Sequence, residues 1–376
     1  MYSILLYQNM VCPHEADFVR ALSARADVRM TWVVDTEVLP HRVRMGISRP
    51  DCGSAEVIVT TDEARVRRIV QASDPLAIHI MQGPRGGICS RAAWRQILAD
   101  RRRVGLYSEP GDPRGFKGFL RRWLYTVERL QWGRRLQFVL ATGQLGIDYY
   151  ARCGYPSRLL FPFCYVTSPA DHHHPERQNP GGGSFRVAYC GQLVQRKNVD
   201  KLLRALAQLQ GRDWRCAIVG DGPLRTPLQQ LAETLGIADR LDWRGILPNA
   251  EAQNLMRASD VLVLPSAFDG WGAVVNEALS VGTPAVCSQA CGAADLLRES
   301  WRGCAVTTGS VPALTAELGR RMAAGRVTQD LRVRIVRWAR ARIAGEPVAQ
   351  YFVSLMDHVY NGGTLLAAPW QMTDNA

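Results

Sequence analysis

The chain has 376 residues, 47% of them apolar and 21% charged, with a net charge of +12. That is enough for two domains with sizeable cores and too large to need disulfide staples. No apolar run reaches the length of a membrane span, and the start MYSILLYQNM lacks the basic opening of a secretory signal, so a cytoplasmic protein is expected. Ten cysteines run from Cys12 to Cys304; the closest pair, Cys287 and Cys291, has no second pair to complete a zinc site, which predicts free thiols in a reducing compartment.

In chain order, Tyr2 to Tyr7 reads as a buried strand, followed by a turn through Pro13 and a helix from about Glu15 to Ala26. Further short apolar runs at Val28 to Val34, Glu56 to Thr60, Leu76 to Met81, Val104 to Ser108 and Phe138 to Thr142 alternate with helical or turn segments. Such alternation predicts a parallel sheet covered on both faces. His14 falls on the first loop, where it could approach an acceptor or a phosphate, although an exposed loop histidine is the plainer description.

Positive charge is concentrated between Arg101 and Arg135, with ten cations against three acids. Within it, Phe116, Phe119, Leu120, Trp123, Leu124 and Leu130 fall on one side of a predicted helix. The first expectation is that this side faces the core with the basic residues in solvent. Adsorption of residues 114–135 on an anionic membrane surface is the second, and would make the protein peripheral at the inner face of a membrane. Nucleic acid is not expected, since no recognised module accompanies the charge.

Residues 167–184, rich in Pro, Gly, Asn and His, read as a linker between a first domain (1–166) and a second (185–330). His172, His173 and His174 read there as solvated residues rather than metal ligands. A second alternating series follows, with strands at Phe185 to Cys190, Cys216 to Val219, Leu241 to Trp243, Asp260 to Pro265, Ala285 to Ser288 and Ala305 to Thr308. Helices such as Val199 to Gln208 and Leu224 to Leu235 separate them. This half reads as a doubly wound domain, whose ligand should lie beyond the carboxyl ends of the strands, where GQLVQRKN, GDGPLR, RGILPN and SAFDGWG converge. The remainder, 331–376, contains one long helical stretch from Leu331 to Tyr360, long enough to return to the first domain.

The stretch DVLVLPSAFDGWGAVVNEALSVGTP concentrates the chemistry. A strand to Pro265 is followed by a turn whose Gly270 and Gly272 let the backbone approach a ligand, then by a predicted helix over Ala273 to Val281. Asp269 and Glu277 would repel phosphate but can accept hydrogen bonds from sugar hydroxyls. A capping acid, a tight turn and an exposed helix charge would produce the same string. Gly220-Asp-Gly222 follows a strand, but Arg225 stands where a dinucleotide fingerprint needs a small residue, which disfavours nicotinamide and flavin. No Asp-x-Asp pair is present to clamp a metal-bound diphosphate, so Lys197, with Arg196 beside it, is the candidate cation for a departing diphosphate.

YCGQLVQRKNVDKLLRAL, IVGDGPL, LDWRGILPNAEAQNLMRASDVLVLPSAFDGWGAVVNEALSVGTPAV and CGAADLL, in this order and spacing, resemble the catalytic half of retaining glycosyltransferase family 4, of bacterial cell-surface glycan type. The resemblance is strong over about Phe185 to Gly309. It implies the GT-B fold, α/β, with two doubly wound Rossmann-like domains facing each other across a cleft, the first on the acceptor side. It also implies metal-independent transfer from a nucleotide-sugar donor to a glycan or lipid-linked acceptor, with no cofactor. On this mapping Asp269 contacts the donor sugar, Glu277 the nucleotide ribose, and amides at Trp271, Gly272, Ala273 and Val274 the diphosphate. Lys197 becomes the phosphate lysine, Gly191 and Gly220 line the donor, and Leu247, Pro248 and Asn249 lie near the base.

Three positions depart from the family pattern. Asp269 stands in place of Glu, and Gln192 in place of an arginine that Arg196 could replace. Ser108 and Glu109 stand where a histidine is often found, which makes Glu109 the candidate to face the reacting carbon. A nucleotide-sugar epimerase of related fold and a non-catalytic glycan- or nucleotide-binding protein are the alternative readings.

Overall fold

Residues 1–39, 43, 49–83, 85–167 and 183–373 are described by a computed structural model of the chain. It divides into two units, Met1–Ser168 with Ala341–Ala376, and Pro169–Arg340. Most of the expected linker, with His172, His173 and His174, lies outside the described residues.

The first unit is built on a parallel sheet in which β1 (Tyr2–Met10) is buried without alternation from Ile4 to Tyr7, the signature of a strand covered on both faces. Its neighbours are β2 (Val28–Thr36), β3 (Glu56–Val59), β4 (Ile78–Met81), β5 (Arg103–Ser108), β6 (Phe138–Thr142) and β7 (Leu160–Phe163), in the order β3-β2-β1-β4-β5-β6-β7. Helices α1 (Pro13–Ser23), α2 (Glu63–Ala72), α3 (Ile88–Ala99), α4 (Gly115–Trp132) and α5 (Gly143–Arg152) connect them. Every predicted strand coincides with an observed one, but β7 was not predicted. Its sequence LFPF contains Pro162, which cannot donate to a ladder; the strand exists because it lies at the sheet edge, where one side needs no partner.

In the second unit β8 (Phe185–Cys190), β9 (Trp214–Val219), β10 (Leu241–Gly245), β11 (Val261–Leu264), β12 (Ala285–Ser288) and β13 (Gly303–Val306) pair in the order β10-β9-β8-β11-β12-β13, all parallel. The helices are α6 (Val199–Ala207), α7 (Arg225–Thr234), α8 (Asn249–Arg257), α9 (Val274–Ser280), α10 (Val311–Ala323) and α11 (Gln329–Arg342). At the amino end of β11 the buried Asp260 carboxylate accepts from the Arg186 amide at 2.9 Å and from Arg326 at 3.0 Å, and lies 3.6 Å from Arg332. Arg332 in turn donates to the Ser259 carbonyl at 2.7 Å, which locks α11 to this edge of the sheet.

Two expectations need correction. The stretch Leu331 to Tyr360 is two helices, α11 and α12 (Gly345–Asn361), interrupted around Ala344, and the change of unit falls at this break. Helix α12 packs on α1 within the first unit: Phe352 meets Phe18 edge to face at 5.4 Å, and the Gly345 amide donates to Asp17 at 2.7 Å. The second correction concerns α4, whose apolar side does not face the core. Gly118 is its only buried residue, while Phe116 is 79% exposed, Trp123 55% and Leu130 66%.

Candidate active site

Strands β8 and β11 lie side by side, yet the chain leaves β8 towards β9 and returns to β11 on its other side. The switch in strand order therefore falls between β8 and β11, the position at which open α/β sheets take ligands beyond the carboxyl ends of their strands. After β8, Gln195–Lys197 forms a single 3-10 turn, and Asn198 adopts a left-handed conformation with φ 51°. Its side chain donates to the Pro265 carbonyl at 3.2 Å, and the Ala267 amide donates to the Arg196 carbonyl at 2.7 Å, so the two loops are stitched together. That brings the buried Lys197 ammonium onto the Asp269 carboxylate. Arg196 lies 3.7 Å from the same carboxylate oxygen and donates to the Phe268 carbonyl at 3.3 Å.

The loop after β11 is held from below. The Asp269 amide donates to the Ala290 carbonyl at 2.9 Å, the Gly292 amide to the Asp269 carbonyl at 3.1 Å, and the Ala293 amide to the Trp271 carbonyl at 2.8 Å. Gly270 is buried here, its carbonyl packed where a Cβ on Gly292 would overlap it. Gly272 has φ +94°, and a Cβ there would come within 2.7 Å of the Leu264 side chain, so this turn requires glycine. The Trp271 ring is fully buried and donates through Nε1 to Asn276 at 2.7 Å, tying the turn to α9. Asn276→Ala should cost about 1–3 kcal/mol in urea unfolding, because the indole N–H would be left buried without its acceptor.

Glu277 projects from the first turn of α9, which starts at Val274 with Ala273 as its cap. Burial raises its carboxyl pKa to about 7. Burial also pushes the Cys190 thiol, at the end of β8, up to about 12; the Glu277 charge adds to this and the Lys197 charge opposes it. Both groups thus act on the same strand end, and Lys197, Asp269 and Glu277 share one edge of the sheet.

The remaining predicted donor residues follow β8, β9 and β10 in the chain. Gly191 begins the β8 loop, and the exposed Gln192 accepts through its carbonyl from the Tyr189 hydroxyl at 2.9 Å. Gly220 has a backbone reason to be glycine: its φ is +124°, and a Cβ would overlap the Gly191 carbonyl oxygen. Leu247 lines a cavity of ≈540 Å³ with Arg186, Cys216 and Leu241, whereas Pro248 and Asn249 are exposed at the start of α8.

In the first unit, Glu109 follows β5 and lines a cavity of ≈300 Å³ with Tyr107, Tyr150 and Tyr165. His14 is not on a loop as expected; it sits in the first turn of α1, half-buried, with its ring stacked on Tyr165 at 6.0 Å. Between them lies a group the sequence reading passed over. Glu15 is buried and accepts from Gln8, and its pKa is pushed up to about 8, chiefly by burial and further by the Glu109 charge. An acid among the apolar residues of an amphipathic helix was the available signal. Asn198 and Asn276, which orient Lys197 and Trp271, had no signal beyond their neighbours.

Among the described residues no three His, Cys, Asp or Glu side chains are grouped as a metal ion would require, and the ten cysteines are thiols.

A family model described as glycosyl transferases group 1 matches residues 172–341. The chain is 35% identical over 107 residues to the 2-deoxystreptamine glucosyltransferase of Streptomyces kanamyceticus, covering 28% of each protein. It is 32% identical over 173 residues to the GDP-mannose-dependent alpha-(1-6)-phosphatidylinositol monomannoside mannosyltransferase of Mycolicibacterium smegmatis, covering 43% of this chain and 45% of that protein. The matched segment thus spans less than half the length of these curated relatives. In three dimensions 95% of the chain matches the whole of Anabaena HepE, crystallised with UDP and glucose, with a TM-score of 0.71 at 18% identity. It also matches WaaG, a glycosyltransferase involved in lipopolysaccharide biosynthesis, over 96% of this chain and 100% of that one, with a TM-score of 0.58 at 17% identity. At these identities the likeness is one of fold, that of the GT-B glycosyltransferases. Residues 172–341, which carry the Lys197, Asp269 and Glu277 edge, are thus similar to the glycosyl transferases group 1 family.

Proposed function

We propose that the protein is a metal-independent, retaining glycosyltransferase of family 4 type, moving a sugar from a nucleotide-sugar donor to a glycan or lipid-linked acceptor in cell-surface glycan assembly. The observation that carries this reading is the Lys197–Asp269 ion pair at the switch between β8 and β11, with Glu277 on the same edge. The ammonium has three N–H donors and the carboxylate occupies one, which leaves donors for a diphosphate. Asp269 orients the lysine and reaches the donor sugar; Glu277 accepts from the ribose; amides at Trp271 to Val274 add to the diphosphate site. As the anomeric C–O bond breaks, its electron pair goes to the diphosphate, whose growing charge Lys197 stabilises. The acceptor hydroxyl attacks from the same face and passes its proton to a diphosphate oxygen. Glu109, with His14 nearby, belongs to the acceptor side. Support comes from the names of the relatives, which transfer glucosyl and mannosyl groups, and from HepE, which was crystallised with UDP and glucose.

The test is to incubate the purified chain with a panel of UDP- and GDP-sugars, with and without glycan acceptors, and to follow nucleotide release and anomeric configuration. Nucleotide diphosphate release with an α-sugar transferred from an α-donor is the expected result. An epimerised donor formed without acceptor would establish the epimerase reading instead. No thermal stabilisation and no turnover with any donor would sink both.

A further inference from the structure

Helix α4 is attached to its sheet by a narrow seam. Gly118, Tyr125 and Trp132 recur every seven residues. Tyr125 meets Tyr149 edge to face at 5.4 Å, Trp132 meets Trp94 at 5.5 Å, and Glu128 beside them pairs with Arg85 at 3.3 Å. The opposite side carries Phe116, Phe119, Leu120, Trp123, Leu124 and Leu130, all exposed, within an arc of roughly 140° at helical periodicity. Single exposed apolar residues are ordinary, but six on one helix face form a patch that needs a partner. Around it, Arg114 to Arg135 contains seven cations against the single acid Glu128, which Arg85 already neutralises.

We infer that this face of α4 docks on the surface of a bilayer rich in anionic phospholipid, lying in the interface without crossing it. Aromatic and aliphatic side chains enter the headgroup and acyl boundary while the flanking Lys117, Arg122 and Arg134 meet lipid phosphates. No described helix is long and apolar enough to span a membrane. A nucleic acid would reward the cations and leave six apolar side chains in water. A second copy of the chain would bring two positive faces together. An anionic bilayer satisfies both components of the surface. The inference goes beyond the transferase reading and is independent of it, since vesicle binding reads α4 and turnover reads the second unit.

The experiment is co-sedimentation of the full chain with phosphatidylcholine vesicles, with and without one third phosphatidylglycerol. Binding should be tighter on the anionic vesicles by at least about tenfold and should weaken with added salt. Lys117→Glu with Arg122→Glu should reduce it by on the order of 25-fold or more, at about fivefold for each cation lost. Phe116→Ser with Trp123→Ser should also abolish most of it. All four positions are exposed, so unchanged thermal unfolding and unchanged transfer to a water-soluble acceptor are expected. Equal binding to both vesicle types, no binding to either, or binding untouched by the substitutions would overturn the proposal. So would a dimer that the Phe116→Ser, Trp123→Ser variant dissolves, or a single-stranded RNA that binds the chain whether or not those two residues are replaced.

Discussion

Replacing Lys197 by alanine should lower kcat for sugar transfer by about 10²–10³, the range seen when one preorganised donor to a developing negative charge is removed. The effect should fall mainly on turnover, because in the proposed mechanism the charge on the bridging diphosphate oxygen grows as the anomeric bond breaks, and Lys197 would have its largest task then. Arg196 cannot take over: it is 42% exposed, lies 3.7 Å from Asp269, and already donates to the Phe268 carbonyl. Lys197→Arg is the useful companion, since it keeps the charge but replaces a compact ammonium by a planar fork that does not fit the same buried site. We expect it to recover only part of the loss. Unchanged turnover in Lys197→Ala, with thermal unfolding intact, would remove the lysine from the mechanism.

Donor affinity should rise with pH across the range in which Glu277 ionises, by up to about 10² between pH 5 and 7, and level off above it. Burial raises this carboxyl from its ordinary 4.5 to about 7, and in the proposed donor complex the ionised form accepts from the ribose hydroxyls through both oxygens, more strongly than the neutral acid can. The diphosphate of a nucleotide sugar is esterified at both ends and does not titrate in this range, so the profile reports the protein. Calorimetry in two buffers of different ionisation enthalpy should show a proton released on binding at pH 6, and Glu277→Gln should bind weakly with no pH dependence.

Stability runs the other way. The folded chain retains a proton that the unfolded chain gives up above pH 4.5, so this contribution is complete below 4.5 and is lost as pH rises through 7. The loss amounts to at most about 3 kcal/mol. Glu15, raised to about 8, contributes in the same direction, which makes the comparison of parent with Glu277→Gln the informative one. A flat difference between the two from pH 4.5 to 8 would show that the Glu277 carboxyl is not raised.

Much of this was legible in one dimension. Short runs of branched apolar residues separated by helical segments marked the strands, because a parallel strand covered on both faces leaves a continuous apolar run. The spacing of Asp269 and Glu277 across a glycine turn marked the candidate site, because the strand, turn and helix that carry them are contiguous. Other features required neighbours that the local sequence does not contain. Pro162 fits a strand at the sheet edge, and that place in the strand order is not contained in the LFPF segment itself. The periodicity of α4 revealed two sides but not which one faces inward; a seam of Gly118, Tyr125 and Trp132 let the helix pack closely with its broad apolar face outward.

By itself, then, the sequence determined the elements, the glycine turn and the two acids, since these depend on residues a few positions apart. Only the tertiary structure decided that Lys197 meets Asp269, 72 residues later, because that contact exists only where β11 is laid beside β8 and the two loops are pinned through Asn198 and Ala267.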